Sequence, residues 1–181
     1  RIMLTGRPWI TRLIFGLWRP KDRTLGVDVA GVVTALGPGV TGFAVGDRVF
    51  GETRGAYAEF VTADVARLAP LPDAVSFAQA AALPVAGVTA LQGLRDHGQL
   101  RSGQRVLING ASGGVGHFAI QVAKALGAHV TAVVSTRNAQ QASALGADEV
   151  IDYTRTDFTQ SEARYDLVLD IAGSQPVRAC R

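Results

Sequence analysis

The spacing of hydrophobic residues is most regular between residues 104 and 137. Residues 105–109 are mostly apolar and predict a short buried strand, and residues 129–134 predict a second strand. Gly127 stands between them, where a helix C-cap favours a residue with positive φ. The preceding apolar residues recur at helical spacing, at Ala119, Ile120, Val122, Ala123 and Leu126. Strand, turn, helix and strand in this order indicate half of a nucleotide-binding βαβ fold.

The alternation of helix and strand patterns continues after residue 135. A short helix is predicted over residues 139–145, with Gly146 as its cap, and a strand over residues 149–153. Residues 167–169 form the core of a further predicted strand. The predicted fold class of this half is therefore α/β, with a partial Rossmann nucleotide-binding domain.

Residues 25–61 follow a different pattern, in which short β-rich runs are separated by glycines. Strands are predicted at 27–35, within 46–51 and at 56–61. Strands at this spacing indicate a small barrel-like β domain. Pro70, Pro72 and Asp73 then mark a boundary. We therefore expect a first domain over residues 1–75 and a second over residues 76–181.

The apolar run from residue 74 to residue 94 carries no charge and is long enough to raise the question of a membrane span. Several of its residues are polar or helix-breaking, so a buried helix-turn is the better interpretation. A helix is predicted from Ser76 over residues 77–83, where Pro84 interrupts it, and a second over residues 85–94. No membrane span is expected.

Composition narrows the class of protein. With 181 residues and 48% hydrophobic residues, the chain is long enough to bury a real core. Its single cysteine, Cys180, argues against a disulfide framework and against a multi-cysteine zinc site, and it suits a reducing compartment. A cytoplasmic location is therefore expected. Because the chain begins at Arg1 and stops soon after residues 166–170, we expect an internal fragment of a longer protein.

Positive charge is concentrated at the start of the chain. The formal net charge is +3, and residues 1–23 hold six Lys or Arg against Asp22, a local excess of five. Interleaved with aromatic residues, this stretch suits nucleic acid or a membrane surface. The favoured alternative is a loop whose aromatics pack inward while its arginines are solvated, so no nucleic-acid partner is expected.

Glycines at positions 110, 113, 114 and 116 give the predicted turn its chemical interest. They let the backbone bend sharply and approach a ligand, and Ser112 adds a hydroxyl. The amides that open the next helix lie at the positive end of its dipole, so a diphosphate can bind there without a cationic side chain. The alternative is a glycine-rich turn that serves only the fold. Its place between a strand and a helix favours the nucleotide site.

The residues after the second strand bear on which dinucleotide binds. Sites for NAD usually carry Asp or Glu about twenty residues past the glycines, to accept from the ribose 2′-hydroxyl. Here Ser135, Thr136, Arg137 and Asn138 follow, without a carboxylate. Hydroxyls and a guanidinium suit a 2′-phosphate, so NADPH is favoured over NADH. Alternatively, Ser135 or Thr136 only caps the next helix and Arg137 is solvated. Tyr153, at a strand end, is open to a cofactor contact or to edge packing.

Six ordered motifs resemble the medium-chain dehydrogenase/reductase superfamily, and within it the zinc-independent quinone oxidoreductase branch. They are residues 26–31 (GVDVAG), 46–51 (GDRVFG), 55–60 (GAYAEF), 81–91 (AALPVAGVTAL), 109–116 (NGASGGVG) and 146–153 (GADEVIDY). The resemblance implies a GroES-like catalytic domain joined to a Rossmann domain, with substrate in the cleft between them. It also implies a homodimeric parent protein.

The resemblance also assigns residues by motif. Ser112, Gly113, Gly114 and Val115 resemble the pyrophosphate-binding turn. Residues 135–137 resemble the 2′-phosphate site and Tyr153 the tyrosine beside the cofactor. Thr89 resembles a threonine of the nicotinamide region, a weaker correspondence.

Departures from the zinc alcohol dehydrogenases point away from metal chemistry. Where those enzymes carry a zinc-binding His followed by Glu, this chain has Val27 and Asp28, and their later zinc cysteine falls near Val85. The cysteine-rich lobe for structural zinc has no counterpart between Gly51 and Gly55. A valine offers no lone pair to a metal, so neither zinc is expected.

The expected function is transfer of hydride from NADPH to a quinone or an α,β-unsaturated carbonyl, because such acceptors need little electrophilic help. No catalytic residue is assigned, since solvent can supply the proton. The histidines at 97, 117 and 129 are candidates by chemistry only, and Tyr57 is expected to pack. The alternatives are an enoyl reductase of fatty-acid or polyketide assembly and a non-catalytic NADPH-binding protein with a nucleic-acid or partner-binding role.

Overall fold

The computed structural model describes residues 25–174 and residue 176. The basic stretch at residues 1–23 and Cys180 lie outside the described residues, so the interpretations placed on them stay predictions. The chain divides into two compact units between Val85 and Ala86. The predicted domain boundary between residues 75 and 76 stays a prediction. Among the described residues, none of the helices has the length and apolar character that crossing a membrane requires.

The first unit contains an antiparallel sheet of three strands in the order β1-β2-β3. They are β1 (Asp28–Val32), β2 (Arg48–Glu52) and β3 (Leu68–Pro70). Gly51 lies opposite Val29 on one side and Leu68 on the other. A Cβ atom at this position would overlap the carbonyl oxygen of Arg67, so only glycine lets the strands pair at this distance.

The predicted strand at residues 56–61 is wrong, and the third strand of the sheet is β3 instead. The amides of Ala56 and Tyr57 donate to the carbonyls of Gly26 and Leu25, at 3.2 and 2.9 Å, and no ladder continues beyond them in the described chain. Tyr57 is 82% exposed and Phe60 69%, so the aromatic residues that suggested a packed strand face solvent. Pro70 is compatible with β3 because it ends a short edge strand.

Helices α1 (Phe77–Ala80) and α2 (Pro84–Leu91) follow the sheet. Ser76 caps α1 through a reciprocal pair with Gln79, as its hydroxyl accepts from the Gln79 amide and its own amide donates to the Gln79 side chain. Pro84 does not interrupt a helix but opens α2 as its first residue, a position where its missing N–H has no intrahelical partner anyway. A π-helical turn, Gln92–His97, continues the segment.

The second unit is a parallel sheet in the order β6-β5-β4-β7, which confirms the predicted α/β fold. Its strands are β4 (Arg105–Asn109), β5 (His129–Val134), β6 (Glu149–Asp152) and β7 (Leu167–Asp170). Helix α3 (Gly114–Ala125) connects β4 to β5, and α4 (Ala139–Ala144) precedes β6. Gly127 and Gly146 follow these helices with φ of 80° and 102°, as predicted for C-terminal glycines.

The core of the second unit surrounds β4 and β5, which are buried along almost their whole length. Val106 and Ile108 pack with Ile120 of α3 in the larger apolar cluster. Leu107 of β4 and Val133 of β5 point to the other face of the sheet, where they pack with Phe158. Burial on both faces is typical of a parallel sheet. Each fully buried apolar side chain stabilises the folded state by about 1.5–3 kcal/mol. This core fixes the strand ends that carry the candidate site.

Candidate functional site

A cleft of about 760 Å³ lies at the carboxyl ends of the parallel strands. Its wall is formed by the end of β4 with the glycine loop, by residues 153–158 after β6, and by Ile171, Ala172 and Ser174 after β7. The chain leaves β4 to build β5 and β6 on one side and β7 on the other. Ligands of open α/β sheets bind at such a reversal of strand order, outside the carboxyl ends.

The glycine loop, residues 110–116, has a backbone that tolerates few side chains. Gly110 has a φ of +83°, and a Cβ atom there would lie 3.1 Å from the Ala172 amide nitrogen. A Cβ atom at Gly116 would overlap the carbonyl of Gly110, which lies across the loop. Gly113 is less restricted, since its Cβ atom would lie 3.3 Å from the same carbonyl oxygen. Glycine is thus required by the shape of the loop at positions 110 and 116.

Helix α3 begins at Gly114, so the last three residues of the glycine loop form its first turn. The N-cap residue Gly113 provides no side-chain cap, and the first intrahelical bond in the turn runs from the His117 amide to the Gly113 carbonyl at 3.0 Å. The amides of Gly114, Val115 and Gly116 therefore precede the hydrogen-bonded turns of α3. These donors and the helix dipole suit a diphosphate. Ser112 and Gly113 line the cleft, whereas Gly114 and Val115 are not among its lining residues.

Asn109 and Asp170 join the ends of β4 and β7 behind the loop. Asn109 is 3% exposed, and its Nδ2 donates to Asp170 Oδ1 at 2.9 Å and to Ser174 Oγ at 3.1 Å. The same Asp170 oxygen accepts from the Gly173 amide at 2.9 Å. This carboxylate therefore fixes the segment after β7 against the strand that leads into the glycine loop. No sequence motif pointed to this pair.

The three residues predicted for the 2′-phosphate follow β5, but the structure does not place them in the wall of the cleft. Ser135 Oγ accepts from Asn138 Nδ2 at 3.2 Å, and the Thr136 hydroxyl donates to Asp152. Arg137 is exposed in a 3-10 turn, Thr136–Asn138. Ser135 occupies the N-cap position of that turn without a side-chain cap. The Ser135 hydroxyl therefore does not cap this turn.

The end of β6 and the segment after it supply two functional candidates that sequence reasoning missed, Asp152 and Arg155. Arg155 lines the cleft beside Tyr153, which the sequence motifs had singled out and which is 58% exposed. Asp152 ends β6 in register with Val134, the last residue of β5. Hydrogen bonds from the hydroxyls of Thr136 and Thr154 hold the pKa of this carboxyl below its usual range. The available signal was that neighbouring parallel strands end side by side, so a residue after one strand meets those after the next.

None of the three histidines considered by chemistry lines the cleft. His117 Nδ1 lies 3.1 Å from the carbonyl oxygen of Gly113, and the two form a local contact within the first turn of α3. His129 begins β5 at the edge opposite the cleft, with Nε2 3.9 Å from Glu149 Oε1. His97 and Thr89 are exposed residues of the helical segment that follows β3 and precedes β4 in the sequence.

The positions that resemble zinc ligands in the alcohol dehydrogenases have other contacts here. Asp28 Oδ1 accepts from the Val85 amide at 2.7 Å, so the carboxylate binds the first turn of α2. Val27 is partly exposed and offers no donor atom. Across residues 25–174 and residue 176, the His, Cys, Asp and Glu side chains form no group of three that could hold a metal ion.

Two protein-family models match the chain. The alcohol dehydrogenase GroES-like domain matches residues 9–73, and the zinc-binding dehydrogenase domain matches residues 114–179. The second match begins at the first residue of α3 and extends over the rest of the parallel sheet. The order of the two domains agrees with the architecture that the sequence motifs imply.

Similar proteins include quinone oxidoreductase homologues and polyketide synthases. The chain is 42% identical over 162 residues to the chloroplast envelope quinone oxidoreductase homolog of Arabidopsis thaliana, covering 82% of the chain and 49% of that protein. It is 50% identical over 128 residues to the spectinabilin polyketide synthase system protein NorB of Streptomyces orinoci, covering 71% of the chain and 6% of that protein.

A solved structure of a similar protein is the Escherichia coli quinone oxidoreductase complexed with NADPH. It matches with a TM-score of 0.72 and 37% identity, over 82% of the chain and 47% of the other protein. The chain thus spans about half the length of the quinone oxidoreductases it matches.

Proposed function

The chain belongs to the medium-chain dehydrogenase/reductase superfamily, and we propose that the full-length protein reduces a quinone or an α,β-unsaturated carbonyl with NADPH and without zinc. The observation that carries the proposal is the glycine loop at the carboxyl edge of the sheet. Its backbone excludes a Cβ atom at Gly116, and it leads from the cleft-lining residues Ser112 and Gly113 into the amino terminus of α3, whose first amides have no intrahelical partner. A dinucleotide is the ligand that such a combination suits best.

Preference for NADPH over NADH is proposed from the residues after β5. Arg137 is exposed and offers a planar fork of donors to phosphate oxygens. Tyr153 and Arg155 line the adjoining part of the cleft. The Escherichia coli relative, whose structure holds NADPH, supports this proposal by similarity.

Reduction without a metal is proposed from the residues at positions 27, 28 and 85. Alcohol oxidation by the zinc enzymes relies on a Lewis acid that holds an alkoxide. Here two of the three positions are valines, and the carboxylate of Asp28 is hydrogen-bonded to the Val85 amide. Electron-poor quinones and enones accept hydride without such help, so they are better substrates than alcohols for a site with these three residues.

The residues of this chain have a binding and orienting task in the proposed reaction. The cofactor supplies the hydride when bound. The amides of α3 and the hydroxyl of Ser112 bind its diphosphate, and the Asn109–Asp170 pair fixes the loop that presents them. No residue is proposed as a general acid, because the quinol or enolate product can take its proton from solvent.

An enoyl reductase of polyketide assembly is the second candidate, favoured by the 50% identity to NorB. The two candidates share the cofactor and the hydride transfer and differ in the acceptor. Turnover of a quinone panel and of an enoyl-thioester panel with NADPH separates them. NADPH binding without turnover of either panel would favour the non-catalytic alternative.

The cofactor proposal is tested by Arg137→Ala in the full-length protein. Loss of the guanidinium is expected to weaken NADPH binding by about ten- to a hundredfold and leave NADH binding within about twofold, because a single charge-assisted contact to phosphate contributes on the order of 1.5–3 kcal/mol. The enhancement of dinucleotide fluorescence on binding measures both dissociation constants. An Arg137→Ala protein that binds NADPH as tightly as the wild type would contradict the assignment of residues 135–137.

A homodimer in the cytoplasm completes the proposal. The homodimer follows from the family resemblance, and the cytoplasmic location follows from the single cysteine, which suits a reducing compartment. Sedimentation of the full-length protein tests the oligomeric state.

A further inference from the structure

Asp152 lies beside the residues proposed for the 2′-phosphate, although no sequence pattern gave it a role. It is the last residue of β6 and pairs in register with Val134, directly before Ser135. Its side chain is only 19% exposed. A carboxylate therefore lies at the end of β6, next to residues 135–138 after β5, which contain none.

The contacts of Asp152 come from both sides of the strand end. The Thr136 hydroxyl donates to Oδ2. The Thr154 hydroxyl and amide donate to Oδ1 at 2.7 and 3.0 Å. Arg155 Nε lies 3.6 Å from Oδ2, and its side chain is 75% exposed. These donors favour the ionised form and lower the pKa of the Asp152 carboxyl, so the group is an anion at neutral pH.

The anion changes what Thr136 can offer a ligand. A hydroxyl has one proton, and Thr136 donates it to Asp152, so toward a ligand it presents lone pairs. A phosphate dianion has only acceptor oxygens and finds no donor in this hydroxyl. A second anion at this place would also be repelled by the carboxylate. A ribose 2′-hydroxyl, in contrast, can donate to a carboxylate or to the Thr136 oxygen.

We propose that Asp152 is a specificity-determining residue that holds down the preference of the site for NADPH over NADH. This inference rests on the proposed function, because it assumes that a nicotinamide dinucleotide binds with its adenine ribose near the ends of β5 and β6. Arg137 then favours the 2′-phosphate while Asp152 opposes it, and the selectivity of the protein is the difference between the two.

Asp152→Asn in the full-length protein is the direct test. The amide removes the charge but keeps the shape and still accepts from Thr136. The dissociation constants of NADPH and NADH are measured by dinucleotide fluorescence. The ratio of the NADH constant to the NADPH constant is expected to rise about tenfold, which corresponds to ~1.4 kcal/mol, mainly through tighter binding of NADPH. A role confined to folding would move both constants together and leave the ratio unchanged.

Glu149→Gln is the matched control, because it changes the net charge equally at the amino end of the same strand, β6. It is expected to leave the ratio within about twofold of the wild type. Asp152→Ser removes the same carboxylate while keeping a hydroxyl oxygen as acceptor, and it provides the measurement if the asparagine variant does not fold.

An unchanged ratio in a folded Asp152 variant overturns the inference, as does an equal rise in Glu149→Gln. Wild-type protein that binds neither NADPH nor NADH overturns the proposed function, and this inference falls with it. The two failures are distinguishable because only the second concerns the wild type.

Discussion

The two ends of the candidate cofactor site are built differently. At the glycine loop, the shape is set by main-chain packing, since the Gly116 position has no space for a Cβ atom next to the Gly110 carbonyl. At the ends of β5 and β6, side chains determine the chemistry, and Thr136 and Asp152 are bonded to each other. The first end suits any dinucleotide diphosphate, whereas the second can discriminate between dinucleotides.

The difference shows which kind of recognition a fold supplies on its own. Backbone donors at a helix terminus come with the strand-turn-helix geometry and need only glycines in the right places. Side-chain recognition depends on which groups are already paired, and a paired hydroxyl is a different ligand from a free one. Substitutions at each end should therefore have different consequences.

The largest effect is expected for Gly116→Ala, which introduces a methyl group against the Gly110 carbonyl. The loop must shift to relieve the overlap, so binding of both NADPH and NADH should weaken at least tenfold, together with a loss of thermal stability. Gly113→Ala should show a smaller loss, because its Cβ atom meets the same oxygen at 3.3 Å. Dinucleotide titration and thermal melts measure the series.

Gly114→Ala is the stability control for this series, because a Cβ atom there has no neighbour within 4 Å and the position is the first residue of α3. Its melting temperature should equal or exceed that of the wild type, since alanine restricts the unfolded chain. A Gly116→Ala protein that binds dinucleotide like the wild type would remove the distinction between the two ends of the site.

An intermediate effect is expected for Asp170→Ala, which removes the carboxylate behind the loop. The buried Asn109 then keeps only Ser174 as a side-chain acceptor, at a cost of about 1–3 kcal/mol in the free energy of unfolding. Dinucleotide binding should weaken less than in Gly116→Ala, because the loop glycines are intact. Chemical denaturation gives the stability, and Asp166→Ala, which removes the carboxylate that accepts from the Arg105 amide at 2.8 Å, is a comparison for the loss of a hydrogen-bonded acidic residue away from the loop.

If Asp170→Ala weakened dinucleotide binding as much as Gly116→Ala does, side chains would shape the glycine loop too. The two ends of the candidate cofactor site would then differ only in how much their side chains contribute.

The smallest effect concerns Asp148, at the amino side of β6, far along the strand from Asp152. Lys124 Nζ donates to both of its oxygens at 2.8 Å and the Val130 amide donates at 2.7 Å, and these bonds lower the pKa of the Asp148 carboxyl. Asp148→Asn should lower the free energy of unfolding at neutral pH by at most about 1 kcal/mol, since the Lys124 and Asp148 side chains are 36% and 30% exposed.

The pH dependence of that effect follows from the direction of the pKa shift. Because the pKa of Asp148 is lower in the folded state, its contribution is complete above the ordinary value of about 4 and is lost as the pH falls through the folded-state value. The wild type and Asp148→Asn should therefore differ at pH 7 and converge in acid. Denaturant titrations across the range measure this, and an unaltered dinucleotide selectivity in Asp148→Asn would sharpen the contrast with Asp152→Asn.

Local patterns in the sequence were sufficient for the parallel sheet and the glycine loop. The run 105–109, the helical spacing after it and Gly127 each predict their element directly, because a buried strand and a capped helix have strong local signals. The strand predicted at 56–61 failed since a strand also needs a partner, and aromatic residues such as Tyr57 do not show whether one is present.

Asp152 could not be identified from local pattern for a related reason. In sequence it lies 16 residues after Thr136, and only the pairing of β5 with β6 brings the two together. Residues 135–138 themselves contain no carboxylate, so this stretch alone gave no sign of Asp152. Which side chains become neighbours is decided by strand order and register, neither of which is written in the spacing of one segment.

Asp28 has a consequence for protein engineering. Its carboxylate anchors the start of α2 through the Val85 amide, joining the positions that resemble the glutamate and the later zinc cysteine of the zinc alcohol dehydrogenases. Grafting a histidine-glutamate-cysteine set onto positions 27, 28 and 85 would lengthen the side chain that accepts from this amide by one methylene group. A designer would therefore have to preserve this hydrogen bond at the start of α2 in the same step that introduces the metal site.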